Sequence, residues 1–521
     1  MSIKVNLDAL IVRGDFEVLD TPREYPAVQT LQIRDLEPSA LFYQFLRKPD
    51  FQRETSDWSA ERISDFVQSF LNGDLIPGII LWNSGSRIFV IDGAHRLSAL
   101  IAWVQNDYGD GRVSRAFYEQ RIPSEQISAA DATRRLVEKT VGSYLSHQYS
   151  VGNPINPDRE LLAGAMRLAT RALQVQWVVG EAKKAEASFF KINQQAVVID
   201  PTELKLLKAR RMPNGMASRA IIHSGTGHKY WSFDDSKRQQ IQDIAKETYN
   251  LLFTPPLKTP IKTLDLPIAG RDYSTQTLQL IFELVNLIND VKSDISSLEE
   301  EEISEAEDKD GSETIQFLKN TRKLVYRLTG DHPSSLGLHP AIYFYAANGR
   351  HQPTAFLAVV GLIKDFESRK YYPTFTKLRR QFEEFVLEHK EFANQVATVR
   401  GSGTKGMKPL QSIYQAILDG FDQGKSSDEI EAALLQDQRF PYLKLDESKS
   451  LSARRDFDSN TKSAAFLRDA IKSALRCSIC QGFIHANSIS FDHKERKEDG
   501  GLGSVDNAQL AHPYCNTTYK N

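Results

Sequence analysis

The chain has 521 residues, 41% of them hydrophobic and 25% charged, with a formal net charge of −2. That length and balance suit about two to four domains with their own cores and exclude a disordered chain or one coated throughout by nucleic acid, so any phosphate affinity has to come from local basic faces. No apolar run is long enough to span a bilayer, residues 1–13 lack the apolar core of a secretory signal, and all three cysteines fall in one C-terminal segment; a cytoplasmic protein with its cysteines committed to a metal is expected, with no membrane partner.

Near the N-terminus, Phe51-Gln52-Arg53 and Trp58-Ser59 precede a helix predicted over 61–71, then Gly73 and Ile76-Pro77. Ile88-Phe89-Val90-Ile91 reads as a buried strand, Asp92-Gly93-Ala94 as a sharp turn, and 95–103 as a helix with apolar residues at 97, 100, 101 and 104. A glycine turn opening a helix offers backbone N–H groups and a positive dipole end to an anion, and Arg96 in the first turn adds a bidentate phosphate donor. Further along stand Phe190-Lys191-Ile192-Asn193 and Glu203-Leu204-Lys205, with Lys205, Lys208, Arg210 and Arg211 as a basic patch. This succession resembles the ParB/sulfiredoxin-like domain with a DGQQR motif found in GmrSD-type modification-dependent restriction enzymes and SspE-type phage-defence nucleases. The resemblance covers about 25–215 and implies a module that binds or hydrolyses a nucleotide, or senses modified DNA, through Arg53, Asp92, Gly93, His95, Arg96, Asn193 and Glu203. Ala94-His95 stand where that motif has Gln-Gln, and the catalytic cysteine of sulfiredoxin has no counterpart, so phosphate binding carries over better than hydrolysis.

The centre, 216–445, reads as mainly helical. Leu278, Ile281, Phe282, Val285 and Ile288 recur at helical spacing, as do Phe382, Phe385 and Val386, and 355–363 is apolar enough for a buried helix. Residues 290–313, with Glu299-Glu300-Glu301-Glu302, are expected to form a solvated acidic linker. Residues 400–406 contain a literal G-x-G-x-x-G without a surrounding βαβ unit, which favours a loop over a dinucleotide site.

At the C-terminal end, Arg468, Lys472 and Arg476 are predicted to lie four apart on one helix running into Cys477, forming a basic ridge for the DNA backbone, with Leu467, Ile471 and Leu475 as the adjacent apolar stripe. Then come Cys477-Ser478-Ile479-Cys480, Phe491-Asp492-His493, Gly500-Gly501, Asn507 and His512-Pro513-Tyr514-Cys515-Asn516. The order C-x-x-C, D-H, G-G, N, H-x-x-C-N resembles the HNH nucleases and their ββα-metal motif, in which two strands and a helix hold one catalytic metal against a scissile phosphate. Cys477, Cys480, His512 and Cys515 have the spacing of a closed tetrahedral Zn²⁺ site. Asp492 and Asn516 are hard oxygen ligands suited to Mg²⁺ or Mn²⁺. His493 adjoins Asp492 on a predicted strand, where successive side chains face opposite ways, and its imidazole can take a proton from water near neutral pH. The family resemblance makes Asn507 the residue that orients the loop around that base.

These readings together give an α+β multidomain chain: a ParB-like α/β module over 25–215 with a nucleotide as candidate ligand, a helical middle over 216–445, and an HNH module over 446–521 that hydrolyses phosphodiester bonds in foreign or modified DNA. Such a module, isolated, is expected to cut weakly and indiscriminately, because the ridge reads phosphate and not sequence. Two other classes remain: an NTPase-centred enzyme with the HNH segment as a DNA clamp, and a non-catalytic zinc-finger regulator. Ala94 counts against the first and the full Asp492, His493 and Asn516 set against the second. Pairing of two chains as a homodimer, to cut both strands, is left open.

Overall fold

Alternation of side chains across a strand decides how the N-terminal part is layered. In the computed structural model, six strands form one mixed sheet: β1 (Arg13–Gly14), β2 (Thr30–Gln32), β3 (Leu46–Pro49), β4 (Ile79–Asn83), β5 (Ile88–Asp92) and β6 (Ala172–Val178), in the order β1-β3-β5-β4-β6-β2. β1, β3 and β5 run parallel, β4 is antiparallel to β5 and parallel to β6, and β2 closes the edge antiparallel to β6. Ile79, Leu81 and Val90 enter the larger core with the helices Ala60–Asn72 and Ala94–Gln105, whereas Trp82, Phe89 and Ile91 face the other way onto Phe16, Ala185 and Phe189. The period of two thus gives the sheet two covered faces. Ser59 caps the 60–72 helix by accepting from the Arg62 N–H at 3.3 Å, and Gly73, at φ +79°, ends it in the left-handed conformation that glycine adopts without strain.

The described residues are all except 1–3, 15, 17–27, 50–51, 53–54, 57, 153–157, 197–204, 207, 226–232, 273–274, 292–305, 446–455 and 521. Arg53, Glu203 and most of the acidic 290–313 segment therefore lie outside them. The chain divides into two compact units, one of residues 1–216, 225–238 and 294–311, the other of 217–224, 239–293 and 312–521.

In the second unit, helices Thr275–Ile288, Ser312–Leu328, Pro353–Arg369, Tyr372–Glu388, Glu391–Arg400, Thr404–Asp422 and Ser427–Gln436 build the core. The 353–369 helix starts on Pro353, whose missing N–H costs nothing in the first turn, and it is buried from Thr354 through Ile363, as the apolar run predicts. A capping box between Ser426 and Glu429 opens the 427–436 helix. The 401–403 glycines join two helices, with Gly401 at φ +95° and Gly403 at +69°, and no strand adjoins them among the described residues.

The helix leading into Cys477 departs from its sequence pattern. It spans Ser459–Ala470, tightens to a 3-10 turn over Ile471–Ser473, and is extended from Ala474. Arg468, Lys472 and Arg476 therefore do not share one helical face. Leu467 and Ile471 are buried as predicted, but Leu475 is 55% exposed. After the Cys pair come β7 (Ser490–His493) and β8 (Ala508–Ala511), an antiparallel hairpin pairing Asp492 with Gln509 and His493 with Ala508, followed by a wide helical turn over Cys515–Tyr519.

Candidate metal centre and active site

The C-x-x-C pair and the H-x-x-C pair meet in the folded chain. The ligand atoms of Cys477, Cys480, His512 and Cys515 all lie within 4.8 Å of one another, and all four residues are buried. His512 Nδ1 is 3.3 Å from Cys480 Sγ and 3.8 Å from Cys515 Sγ. Zinc bonds of about 2.3 Å to sulfur and about 2.1 Å to nitrogen require a tetrahedral edge of about 3.6 Å, so the spacing fits. The other imidazole nitrogen, Nε2, lies 3.0 Å from the Phe483 carbonyl. It must carry the proton to donate there, which leaves the Nδ1 lone pair facing the sulfurs. Burial lowers the His512 pKa and keeps the ring neutral, as a ligand must be. Three thiols this close cannot all ionise by themselves: hydrogen bonds from Cys480 and Cys515 pull Cys477 far down, while the bond to Cys477 pushes Cys515 far up. A divalent cation would hold all three as thiolates. The cluster fits a structural zinc.

The hairpin sets a second group of residues beside that cluster. Asp492 is 7% exposed, and its Oδ2 accepts from Gln509 Nε2 and from Lys520 Nζ, each at 2.7 Å. Lys520 also donates to the His493 carbonyl at 2.6 Å. His493, one strand position on, is only half buried. Asn516, in the terminal turn, donates through Nδ2 to Ser490 Oγ at 2.7 Å and to the Phe491 carbonyl at 3.2 Å, which fixes its amide against β7 next to Asp492.

Asn507 works on the loop between the strands. Its Oδ1 accepts the Glu495 N–H at 2.8 Å and its Nδ2 donates to the carbonyls of Glu495 and Leu502, at 3.1 and 2.8 Å. One side chain thereby does the work of a strand partner for a segment that has none. Gly501 is required there, because a Cβ would meet the Glu495 carbonyl oxygen at 2.0 Å.

In the first unit, Gly93 has φ +95° and the 94–105 helix begins directly after it. Arg96 reaches back to Asp92 Oδ2 at 2.5 Å and to the Pro77 carbonyl at 3.1 Å. The His95 ring stacks on Trp58 at 5.9 Å and 23°, and the Arg62 guanidinium covers the Trp58 ring at 4.6 Å. Asp92, Gly93, His95 and Arg96 are therefore gathered at one turn. Asn193 lies on the Ala182–Ala196 helix, with its side chain outside the described residues, as are Arg53 and Glu203 altogether.

Residues 37–329 match the GmrSD restriction endonuclease N-terminal domain, which is more than half of the chain. This chain belongs to the GmrSD restriction endonuclease family. Residues 477–521 match the HNH endonuclease family, the segment that holds the Cys₃His cluster and the hairpin. No curated protein and no solved structure gave a significant match. The GmrSD match continues past residue 215, where the turn and its neighbouring motifs end, into the helices of the second unit. A restriction endonuclease with an HNH domain acts on DNA, so the chain carries a nuclease module, and none of its described helices is long and apolar enough to cross a membrane.

The basic residues ahead of the HNH segment are spread differently from their sequence spacing. Arg468 and Lys472 both engage Asp469, at 3.1 and 3.5 Å. Arg476 pairs with Glu384 at 3.2 Å and lies 4.0 Å over the Phe483 ring. In the first unit, Arg210 pairs with Glu186 at 2.8 Å. Sequence reasoning missed Gln509 and Lys520, the two donors to Asp492. Strand register would have placed Gln509 opposite Asp492, and a lysine four residues after Asn516 was visible at the end of the chain. It also missed Arg379 and Glu383, whose i, i+4 spacing on a helix is that of an ordinary surface ion pair.

Proposed function

We propose that this chain is a metal-dependent DNA endonuclease of the modification-dependent restriction or phage-defence type. The observation that carries the reading is the presence of both family matches in one chain; it is supported by a hairpin strand that carries Asp492 and His493 and a terminal turn whose Asn516 donates to the Phe491 carbonyl of that strand. The HNH module, at 446–521, hydrolyses the phosphodiester bond, and the ParB-like module, at 25–215, senses a nucleotide or a DNA modification through the turn at Asp92, Gly93, His95 and Arg96.

Asp492 and Asn516 would hold Mg²⁺ or Mn²⁺, which when bound polarises the phosphoryl oxygen and stabilises the leaving 3′ oxygen. His493 takes the proton of the attacking water, and its partial exposure gives that water access. Gln509 and Lys520 both donate to Asp492 Oδ2, so the orientation of the carboxylate is set before the cation arrives. Asn507 holds the 494–507 loop in place beside the base. On the sensing side, first-turn N–H groups at the 94–105 helix and the Arg96 guanidinium offer donors to a phosphate.

The test is cleavage by the purified chain of unmodified, cytosine-modified and phosphorothioated DNA, with and without nucleotides and with Mg²⁺ or Mn²⁺. Loss of a general base removes about 10²–10⁴-fold in rate. His493→Ala should therefore abolish measurable cutting while zinc content and folding stay as in wild type. Undiminished cutting by that variant places the nuclease elsewhere in the chain.

A further inference from the structure

The Cys₃His cluster is backed by a charged side chain that comes from the helical core and not from the HNH segment. Arg379 lies on the 372–388 helix and is 1% exposed. Its NH1 is 3.3 Å from His512 Nδ1 and also donates to the Leu336 carbonyl. NH2 donates to the Gly337 carbonyl at 3.0 Å, and Nε to Glu383 Oε1 at 2.7 Å. Glu383, itself fully buried, takes the Tyr343 hydroxyl at 2.8 Å on Oε1 and the Phe483 N–H at 2.6 Å on Oε2. Phe483 is the residue whose carbonyl fixes the His512 tautomer. The knuckle is moulded to the guanidinium: a Cβ on Gly482 would lie 2.6 Å from Arg379 Nε.

The chemistry of the cluster gives this arrangement a purpose. A zinc held by three thiolates and a neutral imidazole carries one negative charge in excess, and in a buried site that charge needs a nearby cation or several N–H donors. Neutral side chains could satisfy the Leu336 and Gly337 carbonyls. Burying a guanidinium for that purpose alone would be expensive. Glu383 engages the guanidinium at Nε, so it is the opposite edge, NH1, that faces the cluster, held in that position by the Leu336 and Gly337 carbonyls.

We propose that Arg379 is the charge-compensating positioning residue of the zinc cluster, with Glu383 holding both it and the Phe483 backbone in place. This rests on the zinc reading of the Cys₃His cluster and not on nuclease activity. It gives the 372–388 helix, which lies beyond both family matches, a part in the metal site.

The experiment uses the full chain and reads the metal. Zinc per chain, the rate of zinc release to a colorimetric chelator, and the absorption of the Co²⁺-substituted protein are compared for wild type, Arg379→Gln and Arg379→Lys. Outer partners of metal ligands typically set about 10–100-fold in metal affinity. Arg379→Gln should release zinc at least about tenfold faster, and its sulfur-to-cobalt charge-transfer bands should move to longer wavelength, because thiolates without a facing cation are better electron donors. Arg379→Lys keeps the charge and should return most of both differences. A folded Arg379→Gln with wild-type release and wild-type bands overturns the proposal. If that variant does not fold, a Lys variant with displaced bands overturns it and one with wild-type bands supports it. Wild-type protein without zinc would instead refute the cluster assignment, so the two failures are distinguishable.

Discussion

Gly337 offers a quantitative test of how tightly the HNH segment is packed on the helical core. It has φ +57°, and a Cβ there would meet Ser488 Cβ at 2.7 Å and His512 Cδ2 at 3.0 Å. Neither neighbour is the free end of a flexible chain: Ser488 accepts the Gly330 N–H at 2.9 Å through Oγ, and the buried His512 ring is held at Nε2 by the Phe483 carbonyl. Gly337→Ala should therefore carry two costs, about 1–2 kcal/mol for a left-handed backbone at a residue with a Cβ, and about 1–3 kcal/mol for forcing a methyl into a packed contact. Gly424→Ala is the control, since Gly424 has a similar φ of +77° but nothing within 4 Å of a built Cβ. It should pay the backbone cost alone. Urea unfolding of the two variants, followed by far-ultraviolet circular dichroism at fixed zinc, should place Gly337→Ala about 1–3 kcal/mol below Gly424→Ala. Equal stabilities, within about 0.5 kcal/mol, would refute the claim that the turn at Gly337 is pressed against the metal knuckle.

Two further substitutions separate metal from sensing. Cys480→Ser should lose bound zinc and destabilise the C-terminal segment, because metal binding in so small a site is folding free energy; a variant that keeps one zinc per chain, by elemental analysis, would sink the structural-site assignment. Arg96→Ala should weaken recognition of a nucleotide or of modified DNA by at least about tenfold, from the usual 1.5–3 kcal/mol of a charge-assisted contact, with zinc content unchanged; restriction of phage at wild-type level would reduce that turn to a scaffold.

What the sequence disclosed followed a rule: local patterns were legible and long-range partners were not. The strand at 88–91 and the helix after Gly93 could be read because a continuous apolar run, a glycine turn and a 3.6 period lie within twenty residues of one another. The Cys and His pairs could be read because ligand spacing is itself local, and their meeting in one buried cluster followed from zinc chemistry. The lead-in helix failed where geometry overrode periodicity. Residues 471–473 tighten and 474 is extended, which lets Arg476 bridge to Phe483 and turns the expected ridge into separate ion pairs. The Arg379 and Glu383 pair carried no signal, since the same i, i+4 spacing is found on any solvated helix and only burial reveals its use. Arg53, Asn193 and Glu203 rest on resemblance alone.

The packing also changes what to expect from the HNH segment by itself. Its sequence reads as a separable module, yet contacts cross residue 446 from many places in the helical core. The Phe483 N–H ends on Glu383 at 2.6 Å, the Tyr514 N–H on the Ser335 carbonyl at 2.9 Å, and Thr517 Oγ1 on the Pro333 carbonyl at 2.8 Å. Ser463 and Ser488 accept the N–H groups of Ile261 and Gly330, at 3.0 and 2.9 Å. His485, 1% exposed, sits 3.1 Å from Asp265 and packs edge-on against the His339 ring. Each buried polar group left without its partner costs about 1–3 kcal/mol, and a whole domain is stable by only about 5–15 kcal/mol. Around the metal site, the segment's described apolar cluster is small: Cys477, Cys480, Ile484, Ala511 and Cys515 are buried, with Ile479, Ile489 and Leu510 partly buried against them. That is too small to absorb such losses without its metal, and the metal would lack Arg379. Residues 446–521 alone should accordingly release zinc at least about tenfold faster than the full chain and lose near-ultraviolet dichroism, whereas residues 239–521 should retain both. A 446–521 fragment that holds zinc at the full-chain rate and cuts DNA would show that the helices merely border the module. Failure of the short fragment beside success of the long one would make the 239–445 helices part of the nuclease itself.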